Sequence, residues 1–482
     1  MQAPADRSPS SSHLPPVEPA ALEVRRLAGR PAPSLPDGSA CVRELPGGAR
    51  IVTGNAGDHP LVLELLVQTR QAPLTDDFQS RLDEPSYRPS DRLLVRRDRS
   101  LLAHVHLANH IAWFEGQRVP LVKLEDFASL PEYRHAGYDD ELVQLAESMA
   151  AAEGAVAAVV HADRDRAEFF EEHGWSRLRG QGHTRSDARS VLAHLDAQEA
   201  ARRRRRRSTV TVRTWRHFEL DPVRQLYEQT AADLWGPLYR SEACWQWLIG
   251  RKAQDQILLA IERRKPGAPA APIGHDAEDE PGGEERVVGY AVVRGSCVVE
   301  MMTLPDHGSV RIQLLARACR DAIDRDHHWI SLYTPAADPL HELLVTAGGA
   351  WISDATAGEP CWLMKLLAPE KWVERLYPIW HARARAGGVA RPIELAIVCG
   401  RERWRFTLTR RSARLERTST SPGERVECRR SALESLLAGN LLMPHAITDR
   451  TLVLSDPKLA GPLAALFPAR LFWQSPLELM RL

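Results

Sequence analysis

Residues 124–149, LEDFASLPEYRHAGYDDELVQLAESM, constrain the fold of this chain more than any other stretch. A strand end runs into a short turn carrying Pro131, Arg134 and Gly137, and an amphipathic helix follows. Leu142, Leu145 and Met149 recur at helical spacing, with Gln144 and Glu147 on another face. A strand that feeds a Gly-containing turn at a helix N-terminus gathers free backbone N–H groups and the positive end of the helix dipole. That is a common way to build an anion site. The turn at 134–137 is the first candidate for one.

The chain has 482 residues, too many for one ordinary core, so several domains are expected. An apolar fraction of 44% with 26% charged residues describes a globular protein. Formal net charge is zero, which removes any global field favouring nucleic acid or an acidic membrane. The 7 cysteines are scattered, with no pair at metal-finger or redox spacing, so they read as buried free thiols and no metal site is expected. A reducing, cytoplasmic location follows, supported by the lack of an apolar signal core or a run of about 18 apolar residues.

In chain order, residues 1–40 are rich in Pro, Ser and Ala and read as a disordered tail. Strands are expected at 49–52, 93–95, 101–107 and 119–128, with a helix between the first two for which Asp58 is the N-cap. Residues 155–160 form an apolar run typical of a buried parallel strand. FFEEHGW at 169–175 reads as a helix with a glycine exit, and 190–195 as a closing strand. The arginine run 202–207 repels itself and reads as an exposed linker; without interleaved aromatics it is not taken as a nucleic-acid site. From Thr209 the pattern restarts, interrupted by a flexible insertion at 265–285. The order strand, turn, helix, strand occurs after Ala128 and again after Leu304, which reads as a diverged duplication. A third unit begins near Pro369, with strands at 393–398 and 404–410 and a helix ended by Gly439-Asn440.

The two blocks and the turn Arg134-His135-Ala136-Gly137 resemble the GNAT superfamily of N-acetyltransferases. Leu130-Pro131-Glu132-Tyr133 before the turn and the 169–175 segment strengthen the likeness. The whole arrangement is similar to the Eis family, through SALESLLAG at 431–439 and the ending Leu466-Phe467-Pro468 with Phe472-Trp473. The resemblance implies an α+β (mixed α/β) fold: two GNAT-type mixed-sheet domains followed by a sterol-carrier-protein-like α+β domain. The expected boundaries are 41–200, a basic linker at 201–208, a degenerate second GNAT domain at 209–368, and 369–482. The second block is the degenerate one because Asp306-His307-Gly308-Ser309 lacks an Arg or Gln ahead of its glycine.

The same resemblance implies acetyl-CoA as co-substrate. The family's pyrophosphate loop begins with Gln or Arg, then has Gly three residues later and a small residue two beyond that. Arg134 and Gly137 match, whereas Asp139 takes the last position. The binding set implied is Phe127, Ser129, Arg134, His135, Ala136, Gly137, Tyr138 and Asp139, with Phe127 and Ser129 pairing with the pantetheine amides. Asp139, Asp140 and Glu141 suit the helix dipole. Facing a pyrophosphate at 4 Å, a carboxylate would cost about 4 kcal/mol at an effective dielectric of 20, and much less if it pointed to solvent. The family's usual tyrosine acid is replaced by Phe170. Glu125, Asp126 and Tyr138 are the catalytic substitutes, a desolvated carboxyl with raised pKa being able to take a proton. The family also uses a chain-terminal carboxylate, here Leu482, although this chain runs past the point where the family pattern stops.

The expected activity is acetyl transfer to an amine of a small molecule or a protein lysine, in a protein that binds neither nucleic acid nor membrane and that is free to assemble as a homo-oligomer. The alternative is a catalytically degenerate GNAT-fold scaffold, motivated by Asp139 and Phe170. A lipid-carrier role through the C-terminal unit ranks third.

Overall fold

The computed structural model describes residues 41–69, 75–202, 210–252, 254–263, 285–354, 360–420 and 423–479. The expected tail at 1–40, the linker beyond Arg202, nearly all of the insertion and Leu482 lie outside the described residues. The fold is mixed α/β, with several mixed sheets.

The first seven strands are β1 (Cys41–Glu44), β2 (Arg50–Thr53), β3 (Arg92–Arg97), β4 (Ser100–Phe114), β5 (Gln117–Ser129), β6 (Ala157–Ala162) and β7 (Ser176–Arg177). Then follow β8 (Gly182–Asp187), β9 (Val210–Thr214), β10 (Trp235–Leu238), β11 (Gln256–Arg263), β12 (Glu285–Arg294), β13 (Cys297–Thr303), β14 (Trp329–Leu332), β15 (Ala350–Ser353) and β16 (Cys361–Leu366). The last five are β17 (Ile393–Cys399), β18 (Glu402–Leu408), β19 (Ala413–Arg417), β20 (Arg425–Cys428) and β21 (Leu452–Leu454).

Three sheets result. The first has the order β1-β2-β3-β4-β5-β6-β16-β7, with β10 alongside β4. The second is β15-β8-β14-β13-β12-β11-β9, and the third is β19-β18-β17-β20-β21. The sheets are assembled across the boundaries expected from the sequence. Strand β8, from the first block, lies between β14 and β15. Strand β16, from the second block, lies between β6 and β7. Each of the first two sheets is therefore completed by the other half of the chain.

The framework is the long hairpin β4–β5, closed at Glu115-Gly116 with φ of 43° and 84°. Two consecutive positive φ angles make the tight turn whose twist suits antiparallel strands, and Gly116 adopts its angle without steric cost. The hairpin tip docks on the rest of the molecule. Glu115 N–H donates to Leu234 O at 3.0 Å and Gly116 N–H to Ala232 O at 2.7 Å. The Glu115 carboxylate receives Arg383 at 3.1 Å and also pairs with Arg470. Behind the tip, Phe114, Trp235 and Trp372 meet edge to face, and Phe114 lies 4.9 Å from each tryptophan. One continuous core thus joins the first sheet to the C-terminal unit.

Several local expectations are corrected. Residues 190–195 are not a strand but part of the helix Ala188–Arg202. Ala188, Val191 and Leu195 recur at helical spacing and are buried in the second core. Residues 369–386, at the start of the third unit, form two helices, Pro369–Arg375 and Tyr377–Ala386. Asp58 does not cap the helix His59–Gln68 through its side chain. Its carboxylate accepts the Asn55 N–H at 2.9 Å and pairs with buried Arg96. Two of the scattered cysteines are neighbours in space: Cys399 and Cys428 face each other across parallel strands, with Sγ atoms 3.6 Å apart.

The substitution Glu115→Gln removes the counter-charge of two arginines, of which Arg383 is buried. Glu115 is itself 25% exposed, so the expected loss is about 2 kcal/mol, below that of a fully buried pair, and it is read as a lower urea midpoint.

Candidate functional site

Strands β5 and β6 run parallel and pair from Leu121↔Ala157 to Leu124↔Val160, and no further. Beyond that point β5 stays with β4 up to Ala103↔Ser129, while β6 continues beside β16 up to Cys361↔Ala162. A wedge opens between residues 125–129 and 161–166. Its cause is a bulge in β5 opposite His104 and His106, with Asp126 at φ 53°. An extra residue on one strand bends it and increases its twist, and Asp tolerates the left-handed angle better than most residues.

The wedge opens into a cavity of about 910 Å³. Lys123, Glu125, Asp126 and Phe127 line it from β5, and His161, Ala162 and Arg166 from the other arm. The helix Thr75–Leu82 adds Phe78 and Arg81. The second sheet adds His183, Arg185, Ser331 and Tyr333, and the C-terminal segment adds Phe472, Trp473, Gln474 and Leu479. This last wall is firmly anchored. Arg240 forks onto Glu300 at 3.0 and 2.6 Å and donates through Nε to Glu478 at 2.7 Å, and Tyr290 OH donates to Glu300 at 2.6 Å. Gly236 in β10 permits the close approach, because a Cβ there would lie 2.5 Å from the Phe472 ring.

The floor of the wedge is a buried ion network. Glu125 pairs with Arg81 and with Lys123, the latter at 3.1 Å. Asp126 receives Arg81 at 3.5 Å and Arg92 at 3.3 Å. Burial alone would push the Glu125 carboxyl up, but Arg81 and Lys123 hold it well below the usual range. Asp126 is likewise held down, by Arg81 and Arg92 against burial. This is opposite to the raised carboxyl expected from the sequence: desolvation is present, but the cations outweigh it. His161 is kept neutral, its pKa lowered to about 4 by burial and then by Lys123.

The remaining sequence candidates are placed as follows. Arg134, His135 and Ala136 are exposed at the turn, and Gly137 precedes the helix Tyr138–Ala152 with φ 77°. None of residues 134–139 lines the cavity, whereas Phe127 does. Tyr138 is buried beside Tyr133, ring centroids 6.3 Å apart, so it is not brought together with Glu125 and Asp126. Phe170 is fully buried against Phe127, Phe169 and Trp175. The three acids of the helix's first turn do not simply point to solvent. Asp139 is buried and accepts from Ser129 Oγ and Arg166 Nη1, both at 3.0 Å. Asp140 lies 2.9 Å from His173 Nε2, and Glu141 pairs with Arg43. Arg166, Arg81, Lys123 and the C-terminal wall were not found from sequence. The nearest signal was Asp139 itself, an acid where a small residue was expected and therefore in need of a cation from elsewhere.

No family model and no curated protein matches the sequence. Solved structures do. A GCN5-related N-acetyltransferase from Kribbella flavida is 17% identical with a TM-score of 0.59, over 88% of this chain and 97% of that one. This is the GNAT fold. A second GNAT structure, from Anabaena variabilis, aligns with a TM-score of 0.62 at 14% identity, over 88% and 99% of the two chains. Eis1 from Mycobacterium abscessus aligns with a TM-score of 0.55 at 15% identity, over 88% and 98%. The GNAT likeness therefore spans both halves and the C-terminal unit, and at these identities it concerns the fold. Among the described residues no helix is long and apolar enough to cross a membrane.

Glu125→Gln leaves Arg81 and Lys123 buried beside a neutral group and is expected to cost about 3 kcal/mol at pH 7. Because the folded-state pKa of Glu125 is depressed, its contribution is complete above the unfolded value of about 4.3 and is lost as pH falls through the folded one. The difference between wild type and variant in urea titrations should therefore shrink in acid.

Proposed function

We propose that this chain is an acetyl-CoA-dependent N-acetyltransferase acting on an amine of a small molecule or a protein lysine. The observation that carries the reading is the wedge between β5 and β6, open at one end to a helix N-terminus and at the other to a cavity walled by two sheets. Residues 125–129 lie beyond the β5–β6 ladder, and pantetheine amides would add along this stretch, with Phe127 and Ser129 as the residues concerned. The pyrophosphate would lie at the backbone N–H groups after Gly137, among Arg134, His135, Ala136, Tyr138 and Asp139. Among the first-turn acids, Asp139 and Glu141 have cationic partners in Arg166 and Arg43, which removes much of the repulsion they would otherwise exert.

The coenzyme supplies the thioester. The protein's part is to hold it beside the acceptor amine and to keep water out, which converts a bimolecular encounter into a positioned one. Glu125 and Asp126, ion-paired and held below the usual carboxylate range, are weak proton acceptors and act chiefly through the field they set at the bulge. The acceptor enters from the cavity, whose walls come from both GNAT-like halves and from the C-terminal segment. The C-terminal unit, read as sterol-carrier-protein-like, closes that side.

Phe170 favours a second reading, a coenzyme-binding scaffold without turnover, since a buried phenyl ring donates no proton. Titration calorimetry with acetyl-CoA and thiol release with a panel of polyamines and aminoglycosides separate the two. We expect binding and release, both abolished by Gly137→Glu, which places a carboxylate at a left-handed position on the helix N-terminus. Binding without release from any amine leaves the scaffold. No binding at millimolar acetyl-CoA ends both readings.

A further inference from the structure

The departure at Asp139 has a partner across the wedge. Arg166 lies in the first turn of the helix Arg164–Glu172, which Asp163 caps by accepting the Arg166 N–H at 2.9 Å. From there its side chain spans the gap between the two arms. Nη1 donates to Asp139 Oδ2 at 3.0 Å and Nη2 to Ser129 Oγ at 3.0 Å, while Ser129 Oγ donates to the same Oδ2 at 3.0 Å. The guanidinium lies over the Phe127 ring, 4.7 Å from its centroid. It is only 13% exposed and lines the cavity. Asp139 is 7% exposed, and its other oxygen, Oδ1, is buried with no hydrogen-bond partner. Arg166 is thus the cation that balances the Asp139 charge at the mouth of the helix.

A guanidinium carries five N–H donors in a rigid fork, and these two contacts engage two of them. Three remain, on a group placed where the β5 edge meets the helix N-terminus. Phosphate is the ligand this geometry suits: planar donors beside free backbone N–H groups, next to an acid already neutralised. Resting on the coenzyme reading above, we propose that Arg166 is a coenzyme-binding residue, cancelling Asp139 and donating to a phosphate of acyl-CoA. The acid and the arginine then act as a pair, taking the place of the small residue that a pyrophosphate loop otherwise has there.

Calorimetry with CoA on wild type, Arg166→Gln, Asp139→Asn and the double variant tests the pair. The expected result is CoA binding weakened about 10- to 100-fold in Arg166→Gln, the worth of a charge-assisted hydrogen bond. Part of it should return in the double variant, where no buried charge is left alone. Pantetheine, which has no phosphate, should lose clearly less affinity than CoA in Arg166→Gln by NMR titration, an outcome that a purely structural role would not give. With 3′-dephospho-CoA, the same loss locates the contact at the pyrophosphate, and a vanished loss locates it at the 3′-phosphate. Unchanged CoA binding in Arg166→Gln, or an equal loss for CoA and pantetheine, overturns the assignment. Failure of wild type to bind CoA would remove the coenzyme reading itself, and this with it.

Discussion

The β4–β5 hairpin is the constraint on which the rest of the molecule depends. At its tip, Glu115 accepts two arginines from the C-terminal unit while the turn amides bond to residues 232 and 234. At its far end, the bulge at Asp126 turns β5 away from β6. The two ends are linked by nine registered pairs along β4 and β5, from Phe114↔Gln117 to His106↔Glu125. Residues fixed at the tip therefore set the direction in which the wedge opens. A sheet transmits such placement because its ladder bonds and the packed side chains on both faces resist shear.

Charge compensation is the second theme of the site. Burying an ion is costly unless a counter-ion is held beside it, and the wedge contains several such pairs. Arg81 bridges Glu125 and Asp126, Arg92 reaches Asp126, and Arg166 spans the opening to Asp139. Glu125 and Asp126 therefore keep their charge, at a place where the sequence suggested a carboxyl poised to exchange a proton. The same pairs make the acidic first turn of the helix Tyr138–Ala152 compatible with an anion nearby.

The cavity belongs to no single unit. Strand β16 completes the first sheet and β8 the second, and the segment leading to Leu479 is pinned by the buried Arg240–Glu300–Glu478 group. A pocket built this way joins residues more than 300 positions apart, such as His161 and Trp473. Its shape depends on how the halves seat against one another.

By itself the sequence determined the mixed α/β class, the main strands and helices of the first block, and the turn at Arg134 to Gly137, because helical and strand periodicity and glycine turns are local signals; it did not mark β8, β16 or the helix Thr75–Leu82. It marked Asp139 and Phe170 as departures from the GNAT pattern for the same reason: each is read at its own position. Only the tertiary structure decided what those departures mean. Residues 190–195 read as a strand because that short run, taken without Ala188, does not display the helical spacing that the helix Ala188–Arg202 presents to the second core. The bulge, the strand exchange, the partners of Glu125 and the Arg166–Asp139 contact all depend on distances between residues remote in sequence. In a chain with so many arginines, nothing short of the fold selects which one meets a given acid.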